Sequence, residues 1–267
     1  MIKALYMLLY CLFITACGDS TQPKVAEILE ENVTTEIGIV NGLDLPNNQE
    51  LDDYKILMYG NSHTVGLSSI ITRMIKIGLP HKNVEIVNAG GGFLDDSIKS
   101  TVAVDTLYSK KWSHVILQGQ KYSQSGSYHY STDAAVSWIQ YAKGISATPI
   151  LYPEHPQKGN SNEGQEVYDL HLSIAAKESS CVAPIGPVWD EVISRNLALN
   201  LYADDGNHAS ENGRFLTALI FYEVITAQSA DLLPYIADLS IDESTQDILG
   251  QISSEVLIQL SSCLFPN

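Results

Sequence analysis

The stretch that most constrains this chain is Lys55-Ile56-Leu57-Met58-Tyr59-Gly60-Asn61-Ser62-His63-Thr64 together with the apolar spacing just after it. A short apolar run ends in a Gly, and then Leu67, Ile70, Ile71, Met74 and Ile75 recur at i, i+3, i+4, i+7 and i+8. That stripe is the buried face of an amphipathic helix lying on a sheet. Gly78-Leu79-Pro80 supplies its stop signal, a Gly past the periodic residues with Pro shortly after. The alternation then repeats. Val84–Val87, His114–Gln118, Thr148–Tyr152 and Cys181–Pro184 read as further strands, and Leu94–Leu107, Asp133–Lys143, Glu163–Lys177, Val188–Ala198 and Phe215–Ile225 as helices. Strands separated by helices imply parallel pairing through crossovers. With right-handed crossovers the expected fold is α/β, a three-layer α/β/α sandwich of flavodoxin-like type around a mostly parallel five-stranded sheet. A last helical pattern within Leu232–Leu264 (Ile248, Ile252, Val256, Ile258, Leu260) is expected to pack on the sheet edge.

Ser62 falls at the turn between the first strand and its helix. Side chains at the carboxyl ends of parallel strands point into the crevice where ligands bind. Such a Ser can equally cap a helix, so its meaning depends on partners elsewhere. Asp205-Gly206-Asn207-His208 places a carboxylate three residues before a His, in an irregular stretch that opens a helix. A hydroxyl needs a base, and the base needs an orienting carboxylate, so Ser62, His208 and Asp205 supply the three roles of a hydrolytic triad. Asp204 is the neighbouring alternative for the carboxylate, and His63 competes for the base. A side chain adjacent to a turn nucleophile normally points elsewhere, so His63 is expected to line the pocket.

Gly60-Asn61-Ser62, the turn Asn88-Ala89-Gly90-Gly91-Gly92 and Asp205-x-x-His208 resemble, in order and spacing, the blocks of the SGNH/GDSL hydrolase superfamily across about residues 54 to 228. Trp112–Gln120 and Pro184–Trp189 are similar to a bacterial branch with a Gln-containing third block. The resemblance implies a serine esterase acting through an acyl-Ser62 intermediate on a small acyl ester, an O-acetyl group on a carbohydrate being the expected case. Acyl transfer to a polysaccharide hydroxyl, or glycan binding without turnover, are the alternatives. It also implies an oxyanion hole of the Ser62 N–H, the Gly92 N–H (with Gly91 close behind) and a side-chain amide. The superfamily usually places an Asn there, and this chain offers Gln120, with Gln118 as the alternative. Asn61, His63 and Tyr122 are expected to meet substrate, Tyr122 opening an aromatic loop with Tyr128, His129 and Tyr130 that is either a sugar platform or ordinary surface. Trp189 reads as core. The chemistry calls for no cofactor, and neither paired metal-ligand spacing nor a Gly-x-Gly-x-x-Gly turn is present.

The first residues are read apart from the fold. Lys3, an apolar run from Ala4 to Ile14, and Thr15-Ala16-Cys17 form a signal peptide over 1–16 that is too short for a membrane span. Ile14–Cys17 resembles a bacterial lipobox, which makes Cys17 the lipidation site, the acyl chains the membrane anchor, and the product an exported lipoprotein, with Gly18 favouring the outer membrane. An ordinary secretory signal that happens to contain a Cys is the plainer reading. Residues 17–50, rich in Asp, Glu, Asn and Thr, read as a tether, and 51–267 as the hydrolase domain. A net charge of −16 argues against nucleic acid or an anionic membrane as a charge-driven partner. Cys181 and Cys263 are either disulfide-bonded or two buried thiols.

Overall fold

In a computed structural model of the protein, residues 43–266 are described. The expected signal peptide, Cys17 and most of the expected tether lie outside them. Five strands form one sheet: β1 (Asp53–Gly60), β2 (Asn83–Gly91), β3 (His114–Gln118), β4 (Thr148–Tyr152) and β5 (Cys181–Val182). They are all parallel, in the order β2-β1-β3-β4-β5. Alternate residues serve opposite layers, as strand geometry requires. Ile56, Met58, Ile116 and Ile150 join one buried cluster, while Leu57, Tyr59, Val115, Leu117 and Leu151 join another. The strands therefore read as unbroken apolar runs because both faces are covered.

The first cluster is completed by α1 (Leu67–Gly78), α6 (Ile185–Ser194), α7 (Glu211–Thr226) and α8 (Glu243–Gln259). The second takes in α2 (Leu94–Ser97), α3 (Thr101–Tyr108), α4 (Asp133–Gly144) and α5 (Glu163–Ala175). This is the expected three-layer sandwich. Several details differ. The helix expected over Leu94–Leu107 is two helices, since Ser100 takes an extended conformation and its hydroxyl caps α3 at the Ala103 N–H. The helix expected from Val188 starts at Ile185, because Pro187 falls in its first turn, where a missing N–H costs nothing.

The C-terminal pattern is a helix, but the sheet edge is taken by the tail after it. Leu249 and Ile252 of α8 pack in the first cluster, whereas Ile258 is 80% exposed. The Ser262 carbonyl accepts the Val182 N–H at 2.7 Å, and Cys263 is disulfide-bonded to Cys181 of β5. At the other end, packing begins before residue 51. Leu45 is buried, and the Asn48 amide donates to the Ser113 and Ser146 carbonyls and to Thr148 Oγ1.

Candidate active site

Gly60 ends β1 at φ +154°, where a Cβ would lie 2.3 Å from Gln118 Oε1. The backbone then folds into a 3-10 turn, Ser62–Thr64, rather than running straight into α1. The Asn61 side chain caps this turn by accepting the His63 N–H at 3.0 Å, and Thr64 Oγ1 donates back to the Asn61 carbonyl. Ser62 is thereby left exposed at the rim of the sheet.

His208 comes from the loop before α7. The Ala203 N–H donates to the His208 carbonyl, and Tyr202 bridges Ala209 in antiparallel fashion, so the loop is a tight hairpin. His208 Nε2 lies 2.7 Å from Ser62 Oγ, and His208 Nδ1 lies 2.5 Å from Asp205 Oδ2. Asp205 Oδ1 accepts the backbone N–H groups of Asn207 and His208 at 3.0 and 2.9 Å. Bonding to His208 and these two N–H groups holds the Asp205 carboxyl well below the usual carboxylate range. It is Asp205, not Asp204, that carries the contact.

The expected oxyanion donors fare differently. The Gly92 N–H donates to the Gly60 carbonyl at 3.1 Å, extending the β1–β2 ladder past its last paired residues, and is therefore already committed. Gln120 Nε2 donates to the Lys121 and Ser131 carbonyls at 2.8 and 3.2 Å, and the side chain is buried. It braces the ends of the loop over 121–131 and has no hydrogen left for a substrate oxygen. Gln118 is used as well: Oε1 accepts the Asn61 N–H at 2.7 Å, and Nε2 donates to Glu154 Oε1 at 3.0 Å. The Ser62 N–H has no intramolecular partner among the described residues.

Ser62 and His208 border an open cleft of about 800 Å³ whose walls include Asn61, His63, Phe93, Lys121, Tyr122 and Tyr130. Tyr122 faces it, with its hydroxyl tied to Glu163 at 2.9 Å, while Tyr128 is 63% exposed away from it. Trp189 is core, stacked on the His155 ring at 3.9 Å. The residue that sequence reasoning missed is Glu154. It follows β4 by two positions, at the carboxyl end of a strand, and that position alone pointed to the crevice. Its carboxyl lies 3.2 Å from His63 Nε2. Burial pushes Glu154 up to about 7 and His63 down to about 4, so the contact is a hydrogen bond of an uncharged imidazole rather than an ion pair.

A parallel sheet in this order, with a Ser–His–Asp chain at the carboxyl ends of its strands, has the SGNH-hydrolase fold that the sequence blocks imply. No protein-family model matches the sequence, and no curated protein matches it. Among solved structures, a DUF4886 family protein from Bacteroides uniformis is similar at a TM-score of 0.59 and 13% identity, over 80% of this chain and 98% of that one. An acetyl-xylooligosaccharide esterase from Geobacillus matches at 0.54 and 17%, over 68% and 97%. A protein of Slackia heliotrinireducens assigned as an SGNH hydrolase matches at 0.52 and 21%, over 64% and 98%.

Proposed function

We propose that the chain is a serine ester hydrolase of the SGNH type, removing small acyl groups, O-acetyl above all, from carbohydrate. The observation that carries this reading is the unbroken hydrogen-bond chain Ser62 Oγ to His208 Nε2 and His208 Nδ1 to Asp205 Oδ2, opening on the cleft. In the first step His208 Nε2 takes the Ser62 proton as Oγ bonds to the acyl carbon. The same proton then passes to the departing alcohol oxygen, and water releases the acyl group from Ser62 by the reverse assignment. Asp205 accepts the Nδ1–H and holds the tautomer that presents Nε2 to Ser62. Since Gly92 and Gln120 have their hydrogens engaged, the donor assigned to the oxyanion is the backbone N–H of Ser62, which has no intramolecular partner among the described residues.

The carbohydrate assignment is supported by similarity in fold to an acetyl-xylooligosaccharide esterase and, at a TM-score of 0.50, to a two-domain esterase active on acetylated mannans. It is also supported by a wide polar cleft with Tyr122 and Tyr130 in its wall. Hydrolysis of p-nitrophenyl esters across chain lengths tests the reading. Acetate should turn over fastest, and Ser62→Ala should lose about 10³-fold or more in kcat. Activity unchanged in that variant would sink it.

We further propose that Cys17 is lipidated and anchors an exported protein to the outer membrane. The Cys181–Cys263 disulfide supports an oxidising compartment. Metabolic labelling with palmitate should mark the full chain and not Cys17→Ser, and equal labelling of both would refute the anchor.

A further inference from the structure

The proposed base stands on a loop with little of its own to hold it toward Ser62. His208 and Asp205 are 38% and 51% exposed, three residues apart, and apart from the His208 ring the Asp205 carboxylate is held, among the described residues, by backbone N–H groups of the same loop. The pair could therefore shift as a unit without breaking any bond within it. The stem of the loop is anchored in the core by Leu201 and by Tyr202, whose ring lies 5.3 Å from Trp189, while its tip is tied to the segment after β4. The Lys158 N–H donates to the Gly206 carbonyl at 2.9 Å, and Gln157 Nε2 donates to Asn207 Oδ1 at 3.1 Å. Neither reaches the imidazole. Besides Ser62 Oγ and Asp205 Oδ2 at its two nitrogens, the His208 ring has the ring of His63 against it, centroids 5.0 Å apart and planes within 23°.

His63 is itself fixed. Its side chain is 6% exposed, its edge meets the His155 ring at 5.1 Å, and its Nε2 lies 3.2 Å from Glu154. Glu154, 13% exposed, is held in turn by Gln118 Nε2 and the Asn61 amide. Resting on the esterase reading above, we propose that Glu154 and His63 are positioning residues: the carboxyl group orients the His63 ring, and that ring, lying against His208, keeps the base aimed at Ser62. An uncharged His63 suits the task, because two like-charged rings at this distance would repel whenever His208 holds a proton. Burial does keep His63 uncharged near neutrality.

The test is a double-mutant cycle on kcat with p-nitrophenyl acetate. His63→Ala and Glu154→Ala should each lower kcat about 10- to 100-fold, the range for a misplaced catalytic group, with KM within about twofold. The double variant should be no slower than His63→Ala alone, since Glu154 acts through that ring. Multiplying losses, or a raised KM with kcat intact, would overturn the proposal. If Glu154→Ala does not fold, His63→Phe decides. It keeps a flat ring and should retain about tenfold more kcat than His63→Ala, and equal losses refute the idea. The imidazole 15N resonances of His208 report its surroundings whether or not the protein cleaves esters. They should move in both single variants, and unmoved resonances would defeat the positioning role independently of the esterase assignment, which Ser62→Ala tests.

Discussion

At the residue scale, the same side-chain amide can be an oxyanion donor or a brace, and its hydrogens decide which. Gln120 occupies the place where the resemblance implies a donor, yet both amide hydrogens are bonded to carbonyls eleven residues or fewer away. Gln120→Ala should leave two carbonyls short of a partner and cost about 1–3 kcal/mol in chemical denaturation, with kcat within about threefold. Loss of a true donor would instead cost about 10²–10³ in kcat, and that result would restore Gln120 to the oxyanion hole. That Ser62, Asp205 and His208 would come together could be read from sequence because it follows from residue type and local spacing. Asp205 reaches His208 within one turn of chain. The commitment of Gly92 and the arrival of Glu154 could not be read, since each depends on how two distant strands end beside one another. The Gly92 N–H finds the Gly60 carbonyl only because the chain one residue past β2 still lies beside the end of β1.

At the scale of elements, periodicity located β3 and β4 to the residue, because fully buried parallel strands leave an unbroken apolar run between polar flanks. It erred where one local bond outweighed the pattern, as at Ser100, whose hydroxyl starts a new helix within an apparently continuous stripe. Contacts between helices left a fainter trace, namely small residues. A Cβ on Gly186 of α6 would lie 2.2 Å from the Gly164 carbonyl of α5, and one on Gly164 would lie 2.5 Å from Asp190 Oδ2. The backbones cross that closely because only Ala183 and Pro184 connect β5 to α6, leaving the helix no freedom to stand off. Gly186→Ala should therefore destabilise by about 1–3 kcal/mol through overpacking, despite the better helix propensity of Ala. A urea midpoint unchanged from the parent would show that the two helices can separate without cost.

For the whole molecule, the histidines decide how it meets acid. Burial lowers His63, His155 and His171 to about 4 and His114 to about 3. A folded-state value below the ordinary 6.5 means that the unfolded chain binds these protons first. Stability is then complete above about pH 6.5 and falls as pH drops towards 4. Buried carboxyls oppose this over part of the range. Glu154 and Asp190, raised by burial to about 7 and 6, and Glu223, also raised, bind protons in the folded state while still ionised in the unfolded one. Their offset ends near the ordinary carboxylate values of about 4, where both states are protonated. Four imidazoles against three carboxyls give a shallow decline from pH 7 to 5 and a steeper one below. His171 is the cleanest test. It is buried in α5, far in sequence from Ser62 and His208, with Nδ1–H donating to the Val167 carbonyl at 2.7 Å and Nε2 without a partner among the described residues. Replacing it with Leu removes one proton acceptor of the unfolded state at each pH in this window. Relative to its own stability at pH 7, His171→Leu should gain up to about 3 kcal/mol over the parent at pH 4. Urea denaturation at pH 7, 5.5 and 4 measures the difference. Parallel curves for the two proteins would mean that His171 is not the buried neutral group its surroundings make it.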